Sequence, residues 1–370
     1  MTLDEYADMI ESCSLNRFPE LTTANGFCMF IKRNVIEEVG LFDDITFEKG
    51  YGEENDFCYR ALNRGYIHVL CDNTFVYHKG TQSFKKENLT ADRAALIEEH
   101  MNKLRAKHPV YVDKTDHYLR VNPARDVQEN IRINIELYGK RRILFLVNEW
   151  EGNMEMTGGT SLHIKDIIME QRKNSACFVV CPDKNDLSRV QVYLYTENMG
   201  RLIYNIKTEL GMYGQLNFHE QSYSDVLEKL FESFKFDIVH VHHFLFQTFD
   251  IINIAKKYNA YSIVTLHDLY MLCPSINMVN KGKFCSKINP EDCKECFAQK
   301  HKIDENVLDV WRQNSYETLK QFDKIIVPSE NTKKLFNETY KDLKIDVIEH
   351  GVEVYEIEKS EKNMQKNTFD

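Results

Sequence analysis

The feature that most constrains the fold is a rhythm that begins at Arg141. Short apolar runs recur from there: "RRILFLVN", "ACFVVC", "FDIVHVHH", "YSIVTLH", "DKIIVPS" and "IDVIEHG". Helical stretches such as "TSLHIKDIIMEQR", "SYSDVLEKLFESF" and "FDIINIAKKY" separate several of them. Strands alternating with helices imply an α/β fold, a parallel sheet covered on both faces. In such sheets ligands bind beyond the carboxyl ends of the strands. Residues capable of chemistry fall at those ends: Asn148, His242, His243, His267, Asp268 and Ser329. The spacing predicts a Rossmann-like parallel-sheet domain over 141–355 and a frayed polar tail over 356–370.

The preceding residues read differently. "GFCMFIKR" (26–33) is expected to be a buried strand, and "NVIEEVG" a short helix closed by Gly40. A helix is expected around 53–64, followed by strands in "YIHVLC" and "TFVYHKG". Residues 1–90 thus form a separate α/β module. The stretch 91–140 is charged, helical in period and interrupted by Pro109 and Pro123, as a helical connector would be.

Within the first module, "GYGEENDFCYR" puts three acids just ahead of an apolar helical stripe. Acids complement the positive end of a helix. Glu54, Phe57, Cys58 and Ala61 fall at i, i+3, i+4 and i+7, on one face. Asp56 and Arg60 make an i,i+4 pair on another face, so Asp56 is expected to be a solvated surface acid. Glu54 shares the apolar stripe, where a carboxylate is costly unless paired or used.

The totals bound the function. A chain of 370 residues holds two or three domains with proper cores. Its net charge of -10 argues against a nucleic-acid partner. No apolar run approaches the roughly 20 residues of a membrane span, and "MTLDEYADMI" lacks a basic region followed by an apolar core. Ten cysteines in such a chain are expected to be reduced thiols in the cytoplasm.

Two orders of motifs resemble known families. "TANGFCMFIKR…VGLFDD…GYGEENDFCYRALNRGY…VYHKGTQSF" resembles the second half of a family 2, GT-A-type glycosyltransferase, over residues 1 to 120. "ILFLVN…TGGTSLHIKDI…FDIVHVHH…TLHDLYMLCP…KIIVPSENTKKLF…VIEHGVEV" resembles the N-terminal domain of a family 4, GT-B-type glycosyltransferase, from about 141 to 355. Together they imply part of a two-transferase polypeptide with each donor-binding part missing. No DxD motif is found in the first module. The implied function is sugar transfer from nucleotide-sugar donors to a carbohydrate or lipid-linked glycan acceptor, in a growing bacterial surface polysaccharide or glycoconjugate. The implied place is the cytoplasm, at the inner membrane face with peripheral association. The alternative is a non-catalytic module that binds a carbohydrate acceptor or serves as a scaffold.

The resemblance assigns roles. Glu54 matches the base that takes the acceptor hydroxyl proton, with Glu53 second; many relatives carry Asp there. The other possibility is that both glutamates only cap the helix. His78 matches a histidine that helps hold a divalent cation, Mn or Mg, on the donor diphosphate. Against this stands a strand-end histidine bonded to backbone. In the second module, Gly158 and Gly159 sit between a strand and a helix, where free N–H groups face phosphate. The motif is not GxGxxG, which disfavours a nicotinamide cofactor. His267 is similar to a family 4 histidine bordering the sugar-transfer site, with Asp268 beside it. Strand alternation puts His240 and His242 on one face and His243 on the other. His242 and His243 are expected near the cleft, and His240 in a structural role.

Finally, "CPSINMVNKGKFCSKINPEDCKEC" supplies Cys273, Cys285, Cys293 and Cys296. Four thiols in a loop-like segment ending in CxxC suit a tetrahedral structural zinc. Unbound buried thiols and a disulfide are the other possibilities.

Overall fold

The computed structural model describes residues 1–48, 50–79, 90–154, 158–209, 218–285, 293–296 and 307–351. It divides into two compact units. The first comprises Met1–Lys140 with Lys229–Lys235, the second Arg141–Glu228 with Phe236–Asp370.

The first unit is mostly helical. Its elements are α1 (Leu3–Cys13), β1 (Glu20–Leu21), α2 (Arg33–Val39), α3 (Glu53–Leu62), β2 (His68–Val69), α4 (Thr90–Lys107), α5 (Tyr111–Val121) and α6 (Arg125–Glu136). A capping box starts α1: Thr2 accepts from the Glu5 N–H while the Glu5 carboxylate accepts from the Thr2 N–H. Asn122 ends α5 in the left-handed region, just before Pro123. Phe47 and Tyr59 bury against Leu104 and Tyr111. The stretch 91–140, expected to be a connector, therefore supplies core to this unit.

Three apolar runs here do not form the expected strands. Residues 26–32 are turn and irregular chain, and Phe27 and Phe30 are 50% and 92% exposed. "YIHVLC" yields only the two residues of β2, paired antiparallel with β1. "TFVYHKG" is irregular through Lys79; Gly80 lies outside the described residues. The reason is pairing. A strand must satisfy its N–H and C=O groups on neighbours. Among the described residues of this unit only β1 and β2 offer any.

The second unit has the predicted α/β fold. Its strands are β3 (Arg141–Leu146), β4 (Ser175–Asp183), β5 (Asp186–Thr196), β6 (Met199–Lys207), β7 (Ile238–Val241), β8 (Tyr261–Thr265), β9 (Val279–Asn280), β10 (Lys283–Phe284), β11 (Lys324–Val327) and β12 (Ile345–Val347). Its helices are α7 (Gly159–Gln171), the start of α8 (Gln221–Phe234), whose residues from Lys229 on belong to the first unit, α9 (Ile251–Lys257), α10 (Val307–Leu319) and α11 (Glu330–Thr339). Eight strands make one sheet, in the order β12-β11-β8-β7-β3-β4-β5-β6. The pairs from β12 to β4 are parallel. β5 and β6 then add antiparallel. Every residue of β4 is buried, as a central strand covered on both faces requires. β9 and β10 form a separate hairpin, turned by Lys281 and Gly282 at positive φ. Among the described residues, no helix is long and apolar enough to cross a membrane.

Candidate functional site

The parallel strands end on one side of the sheet, and histidines collect there. His242 follows β7, His267 follows β8 and His350 follows β12. His163 reaches them from the second turn of α7. The His163 and His350 rings stack 3.8 Å apart at 11°. His267 stands edge-on to both, at 5.5 and 5.0 Å. His242 Nδ1 lies 2.9 Å from His267 Nε2. His240, one strand position earlier on the same face, places its ring 3.9 Å from that of His242. Its Nε2 bonds the Thr265 hydroxyl at 2.8 Å. The sequence reading did not select His163 and His350. His350 was legible as another strand-end residue; His163 required knowing how α7 is turned.

Burial keeps these rings neutral. It pushes His240 down to about 3, with His163 adding a little. It also pushes His267 down to about 3, reinforced by His350 and His163. His242 is 1% exposed and is held well below the ordinary value by burial and then by His240. His163 and His350 are lowered by burial too. His242 Nε2, His267 Nδ1 and His350 Nε2 are buried without a hydrogen-bond partner among the described residues. Buried polar atoms normally find one.

His243 and Asp268 form a contrasting, satisfied pair. The Leu245 N–H donates to His243 Nδ1 at 2.8 Å. That leaves the proton of the neutral ring on Nε2, which faces Asp268 Oδ2 at 2.8 Å. Asp268 Oδ1 accepts from the Tyr270 N–H. Burial would raise the Asp268 carboxyl, but the bonds from His243 and Tyr270 outweigh it and hold it below its usual value. A small pocket lies here, lined by His242, His243, His267, Asp268, Tyr270 and Met271 among others.

Gly158 caps α7 with no side-chain bond, and Gly159 opens the helix. A Cβ at Gly159 would meet nothing within 4 Å. Residues 155–157 of the preceding loop lie outside the described residues.

The family model for Glycosyltransferase Family 4 matches residues 157–356, more than half of the chain. The chain belongs to glycosyltransferase family 4. Its histidine-lined strand ends, Gly158, Gly159 and α7 all lie within the matched residues. No curated protein matches this family 4 chain in sequence. Among solved structures it is similar to a secreted C11 cysteine protease from Bacteroides thetaiotaomicron, "iotapain", at 9% identity and a TM-score of 0.22. That similarity covers 51% of this chain and 45% of the protease, so the chain spans less than half of the protease's length. It carries no argument.

The cysteine segment follows Tyr270. Burial raises the Cys273 thiol, and Cys293 is close enough to add to the shift. Arg312 donates to Cys293 Sγ at 3.5 Å and to the Leu272 carbonyl. Among the described residues no group of three or more His, Cys, Asp or Glu is arranged to hold a metal ion.

In the first unit Asp56 departs from the environment that its spacing predicts. Asp56, expected in solvent, is fully buried, and Glu54 is half-buried. Asp56 Oδ2 accepts from Arg60 Nε at 2.8 Å. Its Oδ1 faces Lys107 Nζ at 2.7 Å and His108 Nε2 at 2.8 Å. The helical wheel missed this because α4 and the chain entering α5 cover a second face of α3. Burial would raise the Asp56 carboxyl, yet Lys107, His108 and Arg60 hold it below its ordinary value. Burial raises Glu53, whose Oε2 has no partner among the described residues. A Cβ built on Gly26 would lie 3.5 Å from Glu54 Cβ, while the neighbouring Phe27 ring stacks on His78 at 4.5 Å. Glu54 and His78 therefore flank the same turn.

Proposed function

We propose that the second unit handles the sugar-transfer end of a nucleotide-sugar donor together with a carbohydrate or lipid-linked glycan acceptor. The site comprises His267, His242, His243 and Asp268, with Gly158 and Gly159 beside the diphosphate. The product is a growing bacterial surface polysaccharide or glycoconjugate, made in the cytoplasm at the inner membrane face, and the transfer is of hexosyl type. The observation that carries this reading is His267 Nδ1, a buried nitrogen with no described partner at a parallel strand end, in a pocket shared with His242 and His243. His267 hydrogen-bonds the transferring sugar or the acceptor. The acceptor oxygen bonds to the anomeric carbon on the face that the leaving phosphate departs. The carbon–oxygen bond to phosphate breaks, and the acceptor proton passes to that phosphate. No protein base is assigned.

For the first unit we propose the acceptor side of a GT-A-type transferase, making the chain part of a bifunctional enzyme. Glu54 is its base, Glu53 the second choice, and His78 a contact to Mn or Mg. The shared turn between Glu54 and His78 supports this. So does the apolar surface of the unit, where Phe30, Ile45 and Leu41 are 92%, 85% and 78% exposed. Glu54→Gln in the complete enzyme tests the base. One structural zinc held by Cys273, Cys285, Cys293 and Cys296 belongs to the same reading; elemental analysis of protein purified without added metal tests it.

The decisive experiment is calorimetry and product analysis with uridine, guanosine and thymidine diphosphate sugars, with manganese present. The 370-residue chain is expected to bind donor weakly, because the pocket at the strand ends is small and ligand pockets usually bury most of a ligand. Micromolar binding would reveal a complete donor site. In an active preparation, His267→Ala is expected to lose about 100-fold in rate, the usual effect of one donor to a developing charge. Undiminished turnover removes His267 from the site. Glycan binding with no donor bound and no transfer favours an acceptor-binding module instead.

A further inference from the structure

We infer that His350 is an acid-released strap: its neutral ring, stacked on His163 and edge-on to His267, holds the chain leaving β12 beside the histidine strand ends, and protonation of His350 lets that chain go. The strap stands on ring geometry; only its consequence for transfer rests on the reading that His267 borders the sugar-transfer site.

The chain after β12 has few holds. The Ile348 N–H donates to the Val327 carbonyl at 3.0 Å, which ties the strand end to β11. Beyond it Glu349 is exposed, and a Cβ at Gly351 would meet nothing within 4 Å. His350, between them, turns inward. Its ring stacks on His163 of α7, with centroids 3.8 Å apart and planes 11° from parallel. It also meets the His267 ring at 5.0 Å and 80°. His350 Nε2 is buried without a partner among the described residues. Ring packing, not a hydrogen bond at that atom, is therefore what holds this side chain in place.

Such a hold depends on charge. A neutral imidazole can leave one nitrogen as a bare acceptor, whereas an imidazolium carries N–H on both. Protonated in place, His350 would bury a charged donor with no acceptor, which costs far more than an unmet lone pair. Swinging the ring into water removes that cost and breaks the stack.

The groups that face His350 do not offset the charge. From α7 comes His163, and Asp166 on the same helix favours charge on His163. The end of β8 presents His267, held neutral by burial, and Asp268, whose oxygens accept from His243 and from the Tyr270 N–H. The end of β7 presents His242, also held neutral by burial. Charge on His350 disfavours charge on all three of these rings. Burial lowers His350 itself. The closed strap thus binds fewer protons than the open one. Its stability is complete above the ordinary histidine value of about 6.5 and falls as the pH drops. With His350 gone, the His267 ring loses one neighbour, and the strand end opens on that side.

Labelled histidine in the free, full-length chain reads the strap by nuclear magnetic resonance, with His163 and His350 assigned by substitution. Above the ordinary histidine value of about 6.5, contacts between protons of the two rings and a rigid Gly351 amide are expected. Both are expected to be lost in step with the titration of His350, below that value. Buried Trp150 and Trp311 are expected to report a folded unit at that point. His350→Phe keeps an aromatic ring that takes no proton, and is expected to hold its contact with His163 across the same range. His350→Ala is expected to free Gly351 at every pH. Persistence of the ring contact once His350 is charged overturns the inference. So does release of the phenylalanine variant at the same pH as the unaltered chain, or release that coincides with a tryptophan change, which is general unfolding. Should the alanine variant not fold, the other two chains decide. No arm needs turnover, so a failure of the transferase assay and a failure of the strap are separate results.

Discussion

Asp56 and His267 both sit at the mouths of helices or strands, both carry polar atoms into buried surroundings, and their fates differ. Asp56 is a carboxylate whose two oxygens are met by Arg60, Lys107 and His108. Nothing is left over for a ligand, and the site holds α3 to the chain that follows α4. The clustered rings of His163, His240, His242, His267 and His350 are kept neutral by burial, and His242, His267 and His350 leave nitrogens unmet among the described residues. Saturation marks an architectural site; residual hydrogen-bonding capacity marks a site that receives something. By that criterion Glu53, with an unmet Oε2, is a better candidate for chemistry in the first unit than Asp56, while Glu54 Oε2 accepts from the Gly52 N–H at 3.3 Å.

Acid should separate the two regions most strongly. A buried neutral histidine whose folded pKa lies below its unfolded value binds fewer protons than the unfolded chain. Stability is then complete above about 6.5 and falls as the pH drops, by about 1.4 kcal/mol per pH unit for each such residue. For His240 and His267 the loss continues down to about pH 3. The lowered carboxyl of Asp56 behaves otherwise: its contribution is complete above about 3.9 and is lost only below that. The second unit should therefore soften first. Both tryptophans, Trp150 and Trp311, belong to it and are buried, so their fluorescence reads that unit alone. Unfolding curves between pH 7 and 4 that show constant fluorescence midpoints would break the comparison.

A smaller effect is expected from Asp56→Ala. Removing a buried carboxylate strands its cations and costs about 3 kcal/mol, the lower end for a buried pair because Lys107 is partly solvated. Hydrogen exchange across α3 should accelerate while tryptophan fluorescence stays put. A wild-type exchange pattern would show that the charges are not holding the helix. The smallest effects come from glycines. At Gly52, φ is 137° and a Cβ would lie 2.7 Å from Phe47, so Gly52→Ala should cost more than about 1 kcal/mol. Gly159 opens α7 with space around it, and Gly159→Ala should change stability by no more than about 1 kcal/mol. Thermal melts of the two variants rank them; equal losses would mean that local space does not distinguish these loops.

The sequence disclosed the parallel part of the sheet well, because buried central strands read as apolar runs. β5 and β6 escaped it. "VQVYLYT" and "GRLIYNIK" mix apolar with polar residues, as strands with one wetter face do, and their signal lay in the turns at Lys184–Asn185 and Glu197–Asn198. In the first unit the opposite error arose. Residues 26–33 are apolar enough for a strand, but composition cannot supply a neighbour to pair with. The site was legible in part: position after a strand picked out His242, His243, His267 and Asp268, all of which line one pocket. Their hydrogen-bonding states were not, since they depend on contacts between strands that are distant in sequence. Asp56 shows the same limit, because one helix's periodicity does not reveal how many faces its neighbours cover.

β6 closes one side of the eight-stranded sheet, and its outer row of N–H and C=O groups is a template on which another chain could grow. Leu202 adds exposed apolar surface to that row. Two features oppose such growth. Arg201 and Lys207 place positive charge along the strand, and the register shift at Val192/Tyr193 twists its pairing with β5. The antiparallel extension therefore carries a second consequence. It sets this self-association hazard four strands away from β7, so that mutation of the border for solubility can proceed without touching the strand ends where the histidines meet.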